Sequence, residues 1–371
     1  MKIIGSILLF IYLFPGFLFG QASPVTMRIY LIGDAGEMKD GQHPVIQDFG
    51  KRLSMDTVTL THLIYLGDNI YPKGMPTPDD SKRKIAEELL DTQLGFYNKL
   101  NGRIWMVPGN HDWERGRADG LDAVIRAQKY VQANFPPEKV SWIPSSGCPG
   151  PEVVDLDRQN VLVILDSQWW LHKHAKPGKD SACASRTDQE LLSNIQEIFD
   201  QNRDKTILFA MHHPMRSYGP HNGGYGWKDH IFPLTALSPS LFLPLPVIGS
   251  IYPLYRTSFG SIQDIPNRRY QSMIQSLDSI FATHPKVIQV AGHEHGLFYT
   301  EENSNHYIVS GAGAKNTYLK KKSAASFSYG HTGYAYLDFY SDGSVFINFL
   351  TPDQQDLIYK KQLIFSPKNL N

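Results

Sequence analysis

Five short apolar, β-branched runs each stop abruptly in a cluster of acids, amides or histidines, and this pattern narrows the fold more than any other feature of the 371-residue chain. Met27 to Ile32 runs into Gly33-Asp34-Ala35-Gly36, His62 to Leu66 into Gly67-Asp68-Asn69-Ile70-Tyr71, and Ile104 to Val107 into Gly109-Asn110-His111-Asp112. Thr206 to Ala210 is followed by Met211-His212-His213-Pro214, and Val287 to Val290 by Gly292-His293-Glu294-His295. Runs of this kind read as buried strands. Polar clusters then fall at the carboxyl ends of five strands, the edge where open α/β sheets place their ligands. Glycines at the bends let the backbone turn sharply there.

Val161 to Leu165 reads as a further buried strand. Helix-period stretches fill the gaps: Ser81 to Leu100, Leu121 to Asn134, Thr187 to Asn202 and Asn267 to Thr283. Thr187-x-x-Glu190 resembles a capping box. Tyr334 to Phe339 and Val345 to Leu350 flank Ser341-Asp342-Gly343, a hairpin signal. The pattern is α/β, with sheet layers covered by helices.

Lys2 followed by the apolar run Ile3 to Phe19 and Gly20-Gln21-Ala22 reads as an export signal over residues 1–22, with a retained membrane anchor as the alternative. On the first reading the mature chain, 23–371, is secreted or periplasmic. The two cysteines, Cys148 and Cys183, then either pair across two loops or stay as thiols. Lys+Arg and Asp+Glu are both 36, and nothing in that balance argues for nucleic acid as a partner. From Ile231 to Tyr255 there is no charged residue, and Pro233, Pro239, Pro244, Pro246 and Pro253 rule out a regular spanning helix. This stretch reads as an irregular inserted loop or lid, within an insertion at about 222–266, that packs on something apolar. Membrane or lipid contact through 231–255 is one such partner.

Singly, the clusters say little: Gly-Asp marks a turn, a lone His-x-His usually lies at a surface, and Asn-His-Asp can cap a helix. Together they supply two Asp, an Asn carbonyl, three His and a Tyr, with no thiolate. Two cations about 3.5–4 Å apart need such oxygen and imidazole donors and a shared carboxylate. Nothing resembles a P-loop, a dinucleotide fingerprint or a serine-nucleophile elbow.

The order Asp34-x-Gly36, Gly67-Asp68-x-x-Tyr71, Gly109-Asn110-His111-Asp112, His212-x-Pro214 and Gly292-His293-x-His295 resembles the calcineurin-like metallophosphoesterase superfamily. Tyr71, with Val309-Ser310-Gly311-Ala312-Gly313, narrows the resemblance to purple acid phosphatases of the tartrate-resistant type. It implies a four-layer α/β/β/α sandwich and a dinuclear hydrolase that cleaves phosphate monoesters by attack of a metal-bound hydroxide. Asp34, Asp68, Tyr71 and His295 would hold Fe(III). Asp68 would bridge to a divalent Fe, Zn or Mn completed by Asn110, His212 and His293. Alternatively, Tyr71 is an aromatic packed beneath a pair of other divalent ions. His111 would contact substrate or the bridging group, with Asp112 orienting it through a carboxylate–imidazole hydrogen bond. His221, nine residues after His212, would stabilise phosphate or protonate the leaving group, or else is an exposed loop histidine. His213 is read as supporting its neighbour or facing solvent. Trp113 after Asp112, and the expanded region from His221 to about Pro266, depart from the small enzymes of that type.

The substrate class implied is a phosphorylated small molecule or peptide. A phosphodiesterase or pyrophosphatase on the same centre is the second reading. A metal-containing binding or membrane-associated module, docking through the apolar segment, is the third.

Overall fold

In the chain as described by a computed structural model, which covers residues 23–236, 241–245, 247–320, 325–352 and 354–365, the apolar runs do become strands. Residues 1–22, read from the sequence as an export signal, lie outside the described residues, as do Pro239 and Pro246. Among the described residues the strands are β1 Val25–Ile32, β2 Leu60–Tyr65, β3 Ile104–Met106, β4 Val140–Trp142, β5 Glu152–Asp155, β6 Asn160–Leu165 and β7 Thr206–Met211. They continue with β8 Val287–Ala291, β9 Leu297–Glu302, β10 Asn305–Ser310, β11 Ala325–Tyr329, β12 Tyr334–Tyr340, β13 Val345–Leu350 and β14 Tyr359–Leu363. The helices are α1 Pro44–Leu53, α2 Arg83–Leu94, α3 Gly120–Asn134, α4 Ser167–Leu171, α5 Asp188–Gln201, α6 Trp227–Ile231, α7 Ile251–Ser258 and α8 Arg268–Phe281.

Two seven-stranded mixed sheets result, one in the order β14-β13-β12-β1-β2-β3-β4 and the other β11-β9-β10-β8-β7-β6-β5. In the first, β1 to β4 are parallel and β12 returns antiparallel beside β1. In the second, β6, β7, β8 and β10 are parallel.

Strand periodicity explains the layering. Ile29 and Leu31 of β1, Leu162 and Ile164 of β6, and Leu208 and Ala210 of β7 share one core, while their neighbours Tyr30, Ile32, Val161, Val163, Ile207 and Phe209 belong to another. The first core lies between the sheets; the second lies under the helices. Phe209 meets Phe199 of α5 and Phe281 of α8, and Tyr30 meets Phe49 of α1 with ring centroids 5.0 Å apart. The architecture is a two-sheet α/β sandwich with helices outside, as the sequence implied. With both faces covered, the central strands β6, β7 and β8 are buried along their whole length, with no exposed polar side.

Several boundaries move. The stretch Ser81 to Leu100 is helical only over α2, followed by a single 3-10 turn at Tyr97–Lys99. Thr187 caps α5 by accepting from the Glu190 amide at 3.1 Å, but the Glu190 carboxylate takes the Arg186 amide, so half of the capping box forms. Cys148 and Cys183 are disulfide-bonded.

The charge-free segment is not wholly irregular: it contains short turns at Pro233–Ala236 and Ile248–Ser250 and the first part of α7. Phe242, Leu243, Ile248, Ile251 and Leu254 are all exposed there, and Phe259 just beyond it is 68% accessible.

Candidate metal centre

Every polar cluster singled out in the sequence lies just past the end of its strand, on the edge the two sheets share. Asp34, Asp68 and His293 follow β1, β2 and β8 with φ of 58°, 55° and 68°. This left-handed backbone is uncommon for residues other than glycine and tends to persist where surrounding structure enforces it. Two glycines make the close approach feasible. A Cβ on Gly67, at φ 90°, would enter the His212 ring, and one on Gly109 would run into the Asp68 backbone and carboxylate.

The donors gather in two groups. In the first, Tyr71 Oη lies 2.9 Å from Asp34 Oδ1, 3.2 Å from Asp68 Oδ2 and 3.2 Å from His295 Nε2. In the second, Asn110 Oδ1 lies 3.0 Å from both His212 Nε2 and His293 Nδ1, which are 3.2 Å apart. His212 Nε2 is also 3.4 Å from Asp68 Oδ1. One carboxylate thus offers an oxygen to each group.

Proton accounting shows what such groups are built for. His212 Nδ1 donates to the Leu66 carbonyl at 2.8 Å, and His293 Nε2 to the Gln263 carbonyl at 2.8 Å. Their other nitrogens therefore present lone pairs to the Asn110 and Asp68 oxygens, which are themselves acceptors. Four lone pairs converge with no proton between them, and a cation resolves that repulsion. Donors bound at about 2.0–2.2 Å to a common ion stand about 3.0–3.5 Å from one another, which is the spacing observed.

Ionisation points the same way. Burial drives the Asp34 carboxyl upward, and the nearby Asp68 charge adds to it. Burial also opposes charge on Asp68, but the His111 amide donates to it at 2.7 Å and helps hold that carboxyl low. Burial keeps His293 well below the usual imidazole range and His295 at about 4, so both rings are neutral, the form that binds metal. Tyr71 is pushed well above its ordinary value by burial and the two Asp charges. It remains a phenol unless a strongly acidic cation displaces its proton.

Asp34, Asp68, Asn110, His212 and His293 are buried, whereas Tyr71, His111, His221 and His295 are partly open and mark the accessible side. His111 lies against Tyr71 with centroids 4.4 Å apart, and His221 against His293 at 4.0 Å. One imidazole thus flanks each donor group.

One sequence reading changes, and another narrows to one of its two alternatives. Asp112 does not orient His111: its carboxylate accepts from the amides of Gly109, Asn69 and Ile70 and from the Asn69 side chain, tying the β2 and β3 loops together. His111 Nδ1 instead meets the Pro72 carbonyl at 2.7 Å. His213 does not face solvent. It is buried, with Nδ1 2.8 Å from Ser167 Oγ and Nε2 2.6 Å from Gln263 Oε1, so both nitrogens are engaged.

The sequence reading missed Gln263, Asp264, Arg256, Glu294 and Lys315. Asp264 Oδ1 lies 2.9 Å from His221 Nδ1, Glu294 accepts from the His221 amide at 3.2 Å, and Lys315 Nζ stands 3.4 Å from the Tyr71 ring centre. Burial opposes a charge on His221, yet the Asp264 hydrogen bond and the Glu294 charge raise it above the ordinary value. One signal was available: Arg256 and Asp264 are the only Asp, Glu, Lys or Arg between Ile231 and Asn267.

A family model described as calcineurin-like phosphoesterase matches residues 27–297. No curated protein matches in sequence. Among solved structures, the fold is similar to GAP50, the anchor in the inner membrane complex of Plasmodium, with TM-score 0.57 and 13% identity over 94% of this chain and 91% of that one. It is similar to PhoD, with TM-score 0.54 and 9% identity over 94% and 73% of the two chains. A purple acid phosphatase from yellow lupin (Lupinus luteus) seeds gives TM-score 0.51 and 12% identity over 92% of this chain and 54% of its own. At such identities the likeness is one of fold.

Asp68→Ala is expected to empty both donor groups, taking bound metal from two equivalents to well below one by elemental analysis, with the far-ultraviolet spectrum unchanged. His212→Ala is expected to lose one equivalent. Equal retention of both metals by the two variants would refute the assignment of Asp68 as the shared ligand.

Proposed function

The chain belongs to the calcineurin-like phosphoesterase family, metal-dependent phosphoester hydrolases whose fold holds two metal ions, and on that premise we propose that it hydrolyses phosphate monoesters as a purple acid phosphatase does. The observation that carries the reading is the pair of donor groups sharing Asp68, with an imidazole at the open side of each.

Bound cations would supply Lewis acidity toward the phosphoryl oxygens and acidify a water. Asp68, Asp34 and Asn110 provide the oxygens that hold that charge, and the Leu66 and Gln263 carbonyls fix the ring orientation of His212 and His293. His111 and His221 contact the phosphate from opposite sides. Water oxygen bonds to phosphorus, its proton passing to solvent, as the ester P–O bond breaks; protonated His221 delivers a proton to the departing oxygen and regains one from solvent. The products are an alcohol and inorganic phosphate. Full-length protein loaded with iron and zinc is expected to hydrolyse p-nitrophenyl phosphate faster than bis(p-nitrophenyl) phosphate from acid to neutral pH. Turnover of the diester alone would transfer the chain to the phosphodiesterase reading.

We assign Fe(III) to the group containing Tyr71. A buried phenol held this far above its usual range loses its proton only to a hard, highly charged ion. The iron-loaded chain is expected to show a phenolate-to-iron absorption band in the visible, and Tyr71→Phe to abolish it with iron still bound. A band of equal intensity in the variant would return Tyr71 to a packing role.

The exposed face of the insertion supports a second, separate property, contact with a lipid surface. The segment from Ile231 to Tyr255 carries no charge, and Trp227, Tyr252 and Tyr255 lie exposed among its aliphatic residues, the composition of an interfacial anchor. The protein is expected to float with phosphatidylcholine vesicles, and Phe242→Ser with Ile248→Ser and Phe259→Ser to remain in solution. Wild-type protein that self-associates without floating would assign the face to a second copy instead.

A further inference from the structure

Asp264 is fully buried and is not among the residues that face the metals, yet five hydrogen bonds converge on its carboxylate. His221 Nδ1 donates to Oδ1 at 2.9 Å. Arg256 reaches Oδ2 through Nε at 2.8 Å and Oδ1 through Nη2. The Ser261 amide and hydroxyl complete the set on Oδ2 at 2.7 and 2.8 Å. Arg256 is supplied by α7, the helix whose residues Ile251, Leu254 and Tyr255 are exposed.

This geometry fixes which nitrogen of His221 carries hydrogen. A carboxylate accepts only, so a contact of 2.9 Å places a proton on Nδ1. Arg256 Nη2 stands 3.4 Å from the same Nδ1 and, being a donor, cannot supply that proton's acceptor; both converge on Asp264 instead. Nε2 is then the nitrogen left on the far side of the ring, the side free for a ligand. The ring itself is set beside His293 at 4.0 Å, and the main chain of His221 is clamped from both sides, its amide by Glu294 and its carbonyl by the Ile265 amide at 2.8 Å.

We propose that Asp264 and Arg256, contributed by the apolar insertion, are positioning residues that hold His221 with Nε2 toward the leaving oxygen of the substrate. The insertion is therefore part of the catalytic apparatus. It also supplies Gln263, whose carbonyl orients His293 and whose side chain binds His213. Without Asp264 the His221 ring has no acceptor for Nδ1–H in this arrangement and is free to turn. The inference rests on the phosphoesterase reading for the role of Nε2, and on the hydrogen bonds alone for the orientation of the ring.

Asp264→Asn, His221→Asn and the double variant, all in the full chain, separate the two. The first readout needs no turnover. In ring-nitrogen-resolved proton NMR, wild type is expected to show a downfield Nδ1–H resonance that His221→Asn and Asp264→Asn both remove. Its absence from wild type, or its survival in Asp264→Asn, would overturn the proposal even if the protein hydrolysed nothing.

The second readout is leaving-group dependence. Asp264→Asn is expected to lower kcat on an alkyl phosphate by about 10–100-fold, the usual consequence of removing a group that orients a working ligand, while p-nitrophenyl phosphate, whose leaving group needs little protonation, falls far less. The double variant is expected to be no slower than His221→Asn. Equal losses on both esters, or losses that multiply in the double variant, would show that Asp264 acts through general structure and overturn the proposal. Arg256→Lys keeps the charge but loses the two-pronged contact, and is expected to show the same leaving-group selectivity in milder form. A wild-type chain that gives the NMR signal, binds two metals and hydrolyses neither ester would refute the phosphoesterase reading while leaving the ring orientation intact.

Discussion

Asp68 sits at the point where two sets of lone pairs meet, and the surrounding structure can be read as what is needed to keep it there. Its oxygens face Tyr71 on one side and His212 on the other, and the His111 amide binds the same oxygen as the second group at 2.7 Å. Buried acceptors with no shared proton repel one another, and an isolated buried carboxylate tends to recover a proton. The protein resists both outcomes through geometry. Left-handed backbone at Asp34, Asp68 and His293 aims three donors at one volume, and two backbone carbonyls force the imidazole lone pairs inward. Such strain is tolerable because the strands that end there are anchored in two cores at once.

That anchoring explains why a sandwich suits a shared-carboxylate centre. The first donor group draws on the ends of β1, β2 and β8, and the second on β2, β3, β7 and β8, so neither sheet alone could complete both groups. Shifting the pairing register of a strand such as β7 by one residue would exchange its inward and outward side chains, placing Leu208 where Ile207 now packs. Register is thereby fixed by hydrophobic burial far from the metals, and donor spacing inherits that precision.

The candidate metal ligands were legible as a set because each is a side chain of distinctive chemistry directly following an apolar run, a coincidence repeated five times. Elements without such contrast were not. The helix α1 starts at Pro44 with His43 as its cap, accepting from the Ile46 amide at 3.3 Å, and histidine is not a residue that announces a cap. The hairpin of β9 and β10 turns on Asn303 and Ser304, both with positive φ, but its strands include His306 and two adjacent glutamates and lack a clean alternation. Asp112 was placed in the right loop and given the wrong partner, because spacing along the chain does not tell which amides a buried carboxylate will collect. The Leu66 and Gln263 carbonyls were beyond reach for a stronger reason: a main-chain acceptor has the same chemistry whatever residue carries it.

The insertion shows how electrostatics can be hidden in a segment that looks purely apolar. A carboxylate placed beside His221 would sit close to Glu294, and two buried negative charges without compensation would destabilise the loop that holds them both. Arg256 supplies the compensation. Burial works against the charge on Asp264, but its hydrogen bonds to His221 and Arg256 hold it far below the usual carboxylate range. The two charges interrupting the segment's apolar composition are thus one ion pair folded inward, and their isolation in sequence is what the pairing requires. With no other Asp, Glu, Lys or Arg nearby in the chain to compete for either partner, the guanidinium and the carboxylate select each other, leaving Phe259 facing outward while Ile262 packs against the core.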